Sequence, residues 1–203
     1  MNEILLFETF DAAAFDPRLA WYCPPRAWRI ANSCLVIEPD AKTDYWQKTH
    51  YGFVADNGHF LFTEVTGDVI VTSSVRFQPV NQYDQAGLMV RLSPQCWLKT
   101  SVEYEPHGPN RLGAVVTNAG YSDWSTQDFP QACTELSLRI RREGCDYIVE
   151  YLHEERWTQI RLARLHEDDG TRPVQVGVYA CSPIAAGYAA AFDFLQIERG
   201  RVK

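Results

Sequence analysis

Apolar and polar residues alternate with a period of two along much of the chain, and no sustained 3.6-residue repeat appears. Residues 69–77 (VIVTSSVRF) are rich in β-branched side chains and predict a strand, followed by a shorter one over 87–92. In residues 97–104 the alternation assigns faces. Leu98, Thr100, Val102 and Tyr104 point one way, and Trp97, Lys99, Ser101 and Glu103 the other. Further strands are predicted over 112–117, 135–142, 146–152, 157–162, 174–180 and 190–197. Glu143-Gly144-Cys145 joins the two strands around it as a tight hairpin. Turn signals separate the other runs: Gly67-Asp68, Ser93-Pro94, Gly108-Pro109, Asn118-Ala119-Gly120 and Asp168-Asp169-Gly170. Many short strands with turn residues between them predict an all-β sandwich or barrel. Residues 11–30, with Pro17, Pro24, Pro25, Trp21 and Trp28, read as an ordered loop packed by its aromatics.

The chain has 203 residues, enough for one large sandwich with a core that needs no disulfide staples. No segment has linker composition, so one domain over 1–203 is expected. A net charge of −7 argues against a nucleic-acid surface and against an anionic membrane as partner. Met1 to Phe10 lacks the pattern of a secretory signal, and a cytoplasmic location is expected. In that compartment Cys23, Cys34, Cys96, Cys133, Cys145 and Cys181 are expected as reduced thiols, small residues in or near the packed sandwich. They form no CxxC pair and no zinc-type cluster with histidine.

Several longer segments carry a resemblance. Thr43–Phe60 reads TDYWQKTHYGFVADNGHF, Tyr83–Arg91 reads YDQAGLMVR, Trp97–Glu103 reads WLKTSVE and Ser122–Ser125 reads SDWS. VGVYACSP follows at 176–183, then AAFDFLQI. Together, from about residue 5 to residue 198, they resemble a domain family of unknown function whose members are often called regulation of enolase proteins. The resemblance implies the concanavalin A-like lectin/glucanase fold, a two-sheet antiparallel jelly-roll sandwich. It supplies no agreed activity, and the fold alone hosts lectins, glycosidases and structural domains.

Polar and aromatic residues concentrate in these same segments. A sugar site needs an aromatic plane for the ring's C–H face and planar polar groups for its hydroxyls. Trp46, Lys48, His50, Tyr51, Asp84, Gln85, Arg91, Lys99, Glu103, Asp123 and Trp124 are the candidates, with stacking on Trp46 or Trp124. The competing reading is a solvated sheet face with structural ion pairs. Candidates for catalysis are Glu103, Asp84 and His50. The strand motifs ExDxxE and ExDxE are absent. Glu103 and Glu105 share a face about 6–7 Å apart by strand rise, and Asp84 could pair with Glu103 across strands. A carboxylate held by Lys99 is expected to have a lowered pKa, which is wrong for a general acid.

Asp56-Asn57-Gly58 is first a turn signature, although its oxygens could serve calcium. No GxSxG, P-loop or GxGxxG is present, and no metal or cofactor is expected. Arg139 and Arg141 read as a solvated outer face, and Glu154-Glu155 and Glu167-Asp168-Asp169 as solvated loops. The expectation is therefore a domain that binds a carbohydrate or a sugar-like metabolite in a groove on its concave sheet, with no established catalysis. The alternatives are a regulatory domain that acts on a metabolic enzyme and a glycoside hydrolase using Glu103. A homodimer through a sandwich edge stays open.

Overall fold

A computed structural model describes residues 2–200; the ends of the expected 1–203 unit lie outside these residues. Two large antiparallel sheets face each other, and there is no helix among the described residues. One sheet runs β15 (Arg156–Arg164), β14 (Asp146–His153), β13 (Glu135–Glu143), β8 (Val69–Gln78), β17 (Ala189–Arg199), β4 (Leu35–Glu38), β3 (Ala27–Ile30), with β1 (Ile4–Glu8) also paired to β17. The other runs β12 (Tyr121–Phe129), β11 (Asn110–Asn118), β10 (Cys96–Glu103), β9 (Gln85–Ser93), β16 (Val174–Cys181), β7 (His59–Val65), β2 (Ala20–Tyr22). A separate hairpin joins β5 (Tyr45–Gln47) to β6 (Val54–Asp56). This is the two-sheet jelly roll that the sequence leads one to expect.

The parity read from 97–104 holds. Leu98 and Val102 of β10, Leu88 and Val90 of β9, Leu112, Ala114 and Val116 of β11, and Val176 and Val178 of β16 point into the space between the sheets. There they meet Val71 and Val75 of β8, Leu138 and Ile140 of β13, and Phe192, Leu195 and Ile197 of β17. Burial of these side chains is the main force holding the layers together, at roughly 1.5–3 kcal/mol for each large one.

The other face of β9, β10 and β11 is also buried, which an ordinary half-exposed sheet would not show. A second cluster explains it. Tyr45, Trp46, Phe60, Met89, Trp97, Val115, Tyr179 and Cys181 pack on the outer face, roofed by the β5–β6 hairpin.

The strands that the sequence pattern leaves out are β1 to β7 and β12. The first six are three to five residues long, too short for an alternation to register. In β12 (YSDWSTQDF) most side chains face solvent at the sheet edge, so no apolar face shows. The 11–30 segment is ordered by aromatics as expected, with Trp28 5.3 Å from Phe15 and 5.9 Å from Trp21. It also supplies one short strand to each sheet, β2 and β3. The β13–β14 hairpin closes through Gly144-Cys145 as predicted. All six cysteines are free thiols.

One polar expectation is corrected. Asp168 is not a solvated loop residue: its side chain is fully buried and pairs at 2.5 Å with Arg142, which is 1% exposed. Arg142 follows Ile140 and Leu138 on the core side of β13, so it has no route to water. Its guanidinium therefore takes Asp168 bidentately and the carbonyls of Gly67 and Arg172. Burial raises the Asp168 carboxyl, but hydrogen bonds from Arg142, Tyr147 and the Gly170 amide outweigh it and hold the group below its ordinary 3.8. Arg139 and Arg141, by contrast, are half-buried and flank Glu150 on the outer face.

Replacing Asp168 with Asn strands a buried guanidinium. We expect a loss of about 3–5 kcal/mol at pH 7 in urea unfolding. A depressed carboxyl stabilises above its unfolded pKa and loses that contribution as pH falls. The difference between wild type and D168N therefore shrinks below about pH 4. The apolar pair Arg142→Met with Asp168→Leu recovers most of the stability. A D168N protein as stable as wild type at pH 7 would show that the pair contributes nothing.

Candidate functional site

The β5–β6 hairpin roofs only part of the outer face of β9, β10 and β11. Gln47 N–H donates to Ser122 Oγ on the edge strand β12 (2.9 Å), which ties down one end. At the other end Asp56 accepts from Tyr22 Oη and from Arg91, both at 2.8 Å. Between the hairpin tip and the sheet lies a cleft of about 180 Å³. Asp44, Gln85, Lys99 and Glu103 form its polar part, and Trp46, Tyr51, Phe53, Tyr83, Val115 and Trp124 form its apolar walls.

Register places the polar groups. Gln85 of β9 sits opposite Glu103 of β10, and Lys99 is on the same face four residues earlier. Gln85 uses its whole amide. Oε1 accepts from Lys99 Nζ (2.8 Å) and lies 3.1 Å from Tyr179 Oη; Nε2 donates to Glu103 Oε2 (2.9 Å) and to Tyr83 O (3.2 Å). That leaves no freedom for the amide to flip. Lys99, 3% exposed, also donates to Asp44 Oδ1 at 3.2 Å. Tyr179 reaches Ser101 Oγ at 2.8 Å, two strands away. Gly87 lies between them in register and lets β9 approach β10 closely, since a Cβ there would meet Thr100 O at 2.0 Å.

The expected lowering of a carboxyl by Lys99 is overturned at Glu103. Burial dominates and pushes this carboxyl up to about 8; Lys99 pulls it down, while Asp44 and Glu105 push it further up. Lys99 fails to win because its charge is already paired with Asp44. At neutral pH Glu103 is a protonated acid that can donate as well as accept.

Of the sequence candidates, Trp46, Tyr51, Gln85, Lys99, Glu103 and Trp124 come together in this cleft. Trp46 is only 8% exposed and its Nε1 donates to Thr49 O, so it is a wall more than a platform. The accessible aromatic surfaces are Tyr51, Phe53, Tyr83 and Trp124. His50 stands outside, in a neighbouring depression. Lys48 is exposed and lies 5.2 Å over the Tyr121 ring.

Three candidates serve elsewhere. Asp84 is one residue out of phase with Gln85, so it turns away from the cleft and its Oδ2 accepts from the Val80 and Asn81 amides. It does not pair with Glu103. Arg91 is buried on Asp56 and on the Tyr22 ring, 4.3 Å from its centroid, and braces the hairpin. Asp123, out of phase with Trp124, pairs with Arg161 of the facing sheet at 2.8 Å. Glu105 lies past the end of β10, where it accepts from Gln82 instead of joining Glu103 in the cleft. The Asp56-Asn57-Gly58 turn is engaged too, since Asn57 Oδ1 accepts from the Asp44 amide. Among the described residues no cluster of His, Cys, Asp and Glu could hold a metal ion.

Asp44, Phe53, Tyr83 and Val115 were not singled out in the sequence. Asp44, Phe53 and Tyr83 lie inside the quoted segments, yet only the folded hairpin and the register of β9 bring them to one cavity.

A family model described as protein of unknown function (DUF1349) matches residues 21–200. The chain belongs to this family. Over 176 residues it is 37% identical to regulation of enolase protein 1 of Saccharomyces cerevisiae, covering 85% of each chain. It is similar in structure to a functionally unknown protein from Saccharomyces cerevisiae, with a TM-score of 0.83, 30% identity and coverage of 91% and 98%. It also superposes on part of the GH43 BlXynB protein from Bacillus licheniformis, with a TM-score of 0.74, 18% identity and coverage of 96% of this chain but 39% of that one. At that identity the likeness shows the fold alone.

The DUF1349 chain thus holds an acid at the cleft floor whose ionisation opposes folding. A raised carboxyl contributes stability fully below its ordinary 4.5 and loses it as pH rises through about 8. Glu103→Gln removes that loss. Its melting temperature should match wild type near pH 5 and exceed it at pH 9 by about 2–8 °C, the range that about 1–2 kcal/mol produces in a chain of this size. A constant difference between pH 5 and 9 would refute the raised acid.

Proposed function

We propose that the cleft binds an uncharged sugar. The observation that carries this reading is the combination of a fixed polar floor with accessible aromatic walls. Gln85, its amide fully used, fixes Lys99 and Glu103 in place, and the third Lys99 hydrogen, Asp44 Oδ2 and Glu103 Oε1 remain as oriented groups for vicinal hydroxyls. Tyr51, Phe53, Tyr83 and Trp124 offer ring faces for sugar C–H groups. The floor is neutral at pH 7, since Lys99 is paired with Asp44 and Glu103 is protonated. An anionic ligand would have to compete with Asp44 for Lys99. The cavity has room for one monosaccharide-sized molecule.

A second reading rests on the yeast relative's name. A regulatory domain that contacts a metabolic enzyme would use the exposed hairpin tip, where Tyr51, Phe53 and Val54 are 58%, 46% and 58% exposed. It predicts binding to purified enolase, weakened by Phe53→Ser, with no sugar required.

The deciding experiment is a thermal-shift screen against monosaccharides, sugar phosphates and oligosaccharides. A ligand that binds only the folded state raises the melting temperature by mass action. We expect neutral sugars to shift it and sugar phosphates to shift it less. Trp124→Ala, with circular dichroism and its own melting curve confirming the fold, should abolish the shift. The shift should also fall as pH rises through 8, when Glu103 ceases to donate. A flat screen with a well-folded protein, or full binding by Trp124→Ala, overturns the sugar reading.

A further inference from the structure

Beside the cleft lies a second, more open depression of about 520 Å³. Trp46, Tyr51 and Trp124 line both. The second one continues over Thr49, His50 and Ser122 to Tyr121 and Asp123 on the edge strand β12. The two adjoin at these three rings, which form an aromatic waist between them, and together they run across the sheet from Gln85 and Glu103 on the inner strands to its rim. Trp46, nearly buried, lies at that waist with its ring 5.5 Å from that of Tyr51.

Resting on the sugar reading above, we infer that the ligand is an uncharged oligosaccharide of at least two rings, one in the cleft and the next in the outer depression. Three observations support it. The waist is aromatic on both of its sides, so each ring finds an apolar plane, while polar side chains lie at both ends. That alternation matches a glycan, whose hydroxyl rims and C–H faces recur from residue to residue. The outer carboxylate, Asp123, is paired with Arg161, so the rim presents no unpaired acidic group to select a cationic ligand, and the exposed Lys48 ammonium beside it lies over the Tyr121 ring.

The outer depression is also built to be specific. Lys48 and His50 hold positive φ of 56° and 62°, a conformation that costs a non-glycine residue energy. Thr49 N–H donates to Gln47 O at 2.6 Å and Tyr51 N–H to Thr49 O at 2.7 Å, two tight turns in succession. They bring Tyr51 to the waist and His50 to the outer side, with their rings 4.7 Å apart and edge to face.

The test is titration calorimetry with three length series: xylose to xylotriose, glucose to maltotriose and glucose to cellotriose. In at least one series the disaccharide should bind about tenfold or more tighter than the monosaccharide. Tyr121→Ser and His50→Asn, the latter tolerant of positive φ, should each shrink that ratio toward one, with circular dichroism and melting temperature confirming the fold. Equal affinity for one, two and three rings overturns the extended groove and leaves the single-sugar site standing. A length increment untouched by both variants also overturns it, because the added ring then lies elsewhere. No binding by any member removes the sugar reading and this inference together.

Discussion

A buried ammonium governs the hairpin-covered face of this sandwich. Lys99 sits in the middle of a central strand with almost no exposure, and a bare charge there would cost several kcal/mol. It is tolerable only because Asp44 reaches it from the segment before β5 and Gln85 from the adjacent strand. That requirement draws the start of the β5–β6 hairpin down onto the sheet. Once there, the hairpin buries Tyr45 and Trp46 against Trp97, Met89 and Tyr179 and builds the second core. Cation–π contacts of Lys99 with Trp97 and Tyr179, at 5.9 and 5.7 Å, add to the same anchoring.

The cleft is what the hairpin leaves uncovered. A sheet fully roofed would have no site, and one fully open would present its polar row to bulk water, where each contact is weak. Partial roofing lowers the local dielectric around Glu103 enough to keep it protonated and leaves aromatic edges accessible at the mouth. Gln85 is the joint between structure and site. Its carbonyl oxygen serves the buried lysine, and its amide nitrogen serves the acid at the floor.

Much of the sandwich was legible in the sequence because its long strands obey a period of two. The faces of 97–103 were assigned correctly, including Lys99 and Glu103 on one surface. Parity, however, says which side a residue faces and nothing about what covers that side. Asp84 and Gln85 looked equivalent as neighbours, yet one step along the strand turns Asp84 away to hold the Val80 and Asn81 amides. Arg91 has the same parity as Gln85 and Met89, but it lies under the hairpin's far end and is consumed by Asp56. Asp168 read as a solvated turn because its buried partner, Arg142, lies 26 residues away and sits where an apolar residue is expected. The sign of the Glu103 shift was missed for the same reason: charge proximity is visible in a sequence, and burial by a roof is not.

The two carboxyl groups in the cleft also bear on whether it cleaves what it holds. Glycoside hydrolysis needs one carboxylic acid to protonate the leaving oxygen and one free carboxylate to act as base or nucleophile. Glu103 meets the first condition at neutral pH. Asp44, the other carboxyl lining the cleft, does not meet the second. Its Oδ1 already accepts from Lys99 and from the Tyr45 amide at 2.7 Å, and its charge neutralises the buried ammonium. Drawing it into a covalent or proton-transfer step would uncover that ammonium and loosen the hairpin that forms the site. Glu105, the next carboxyl along the chain, is engaged by Gln82 beyond the strand end. The acid without a free partner base favours recognition over turnover, and the same ion pair that makes the cleft withholds the second carboxylate from chemistry.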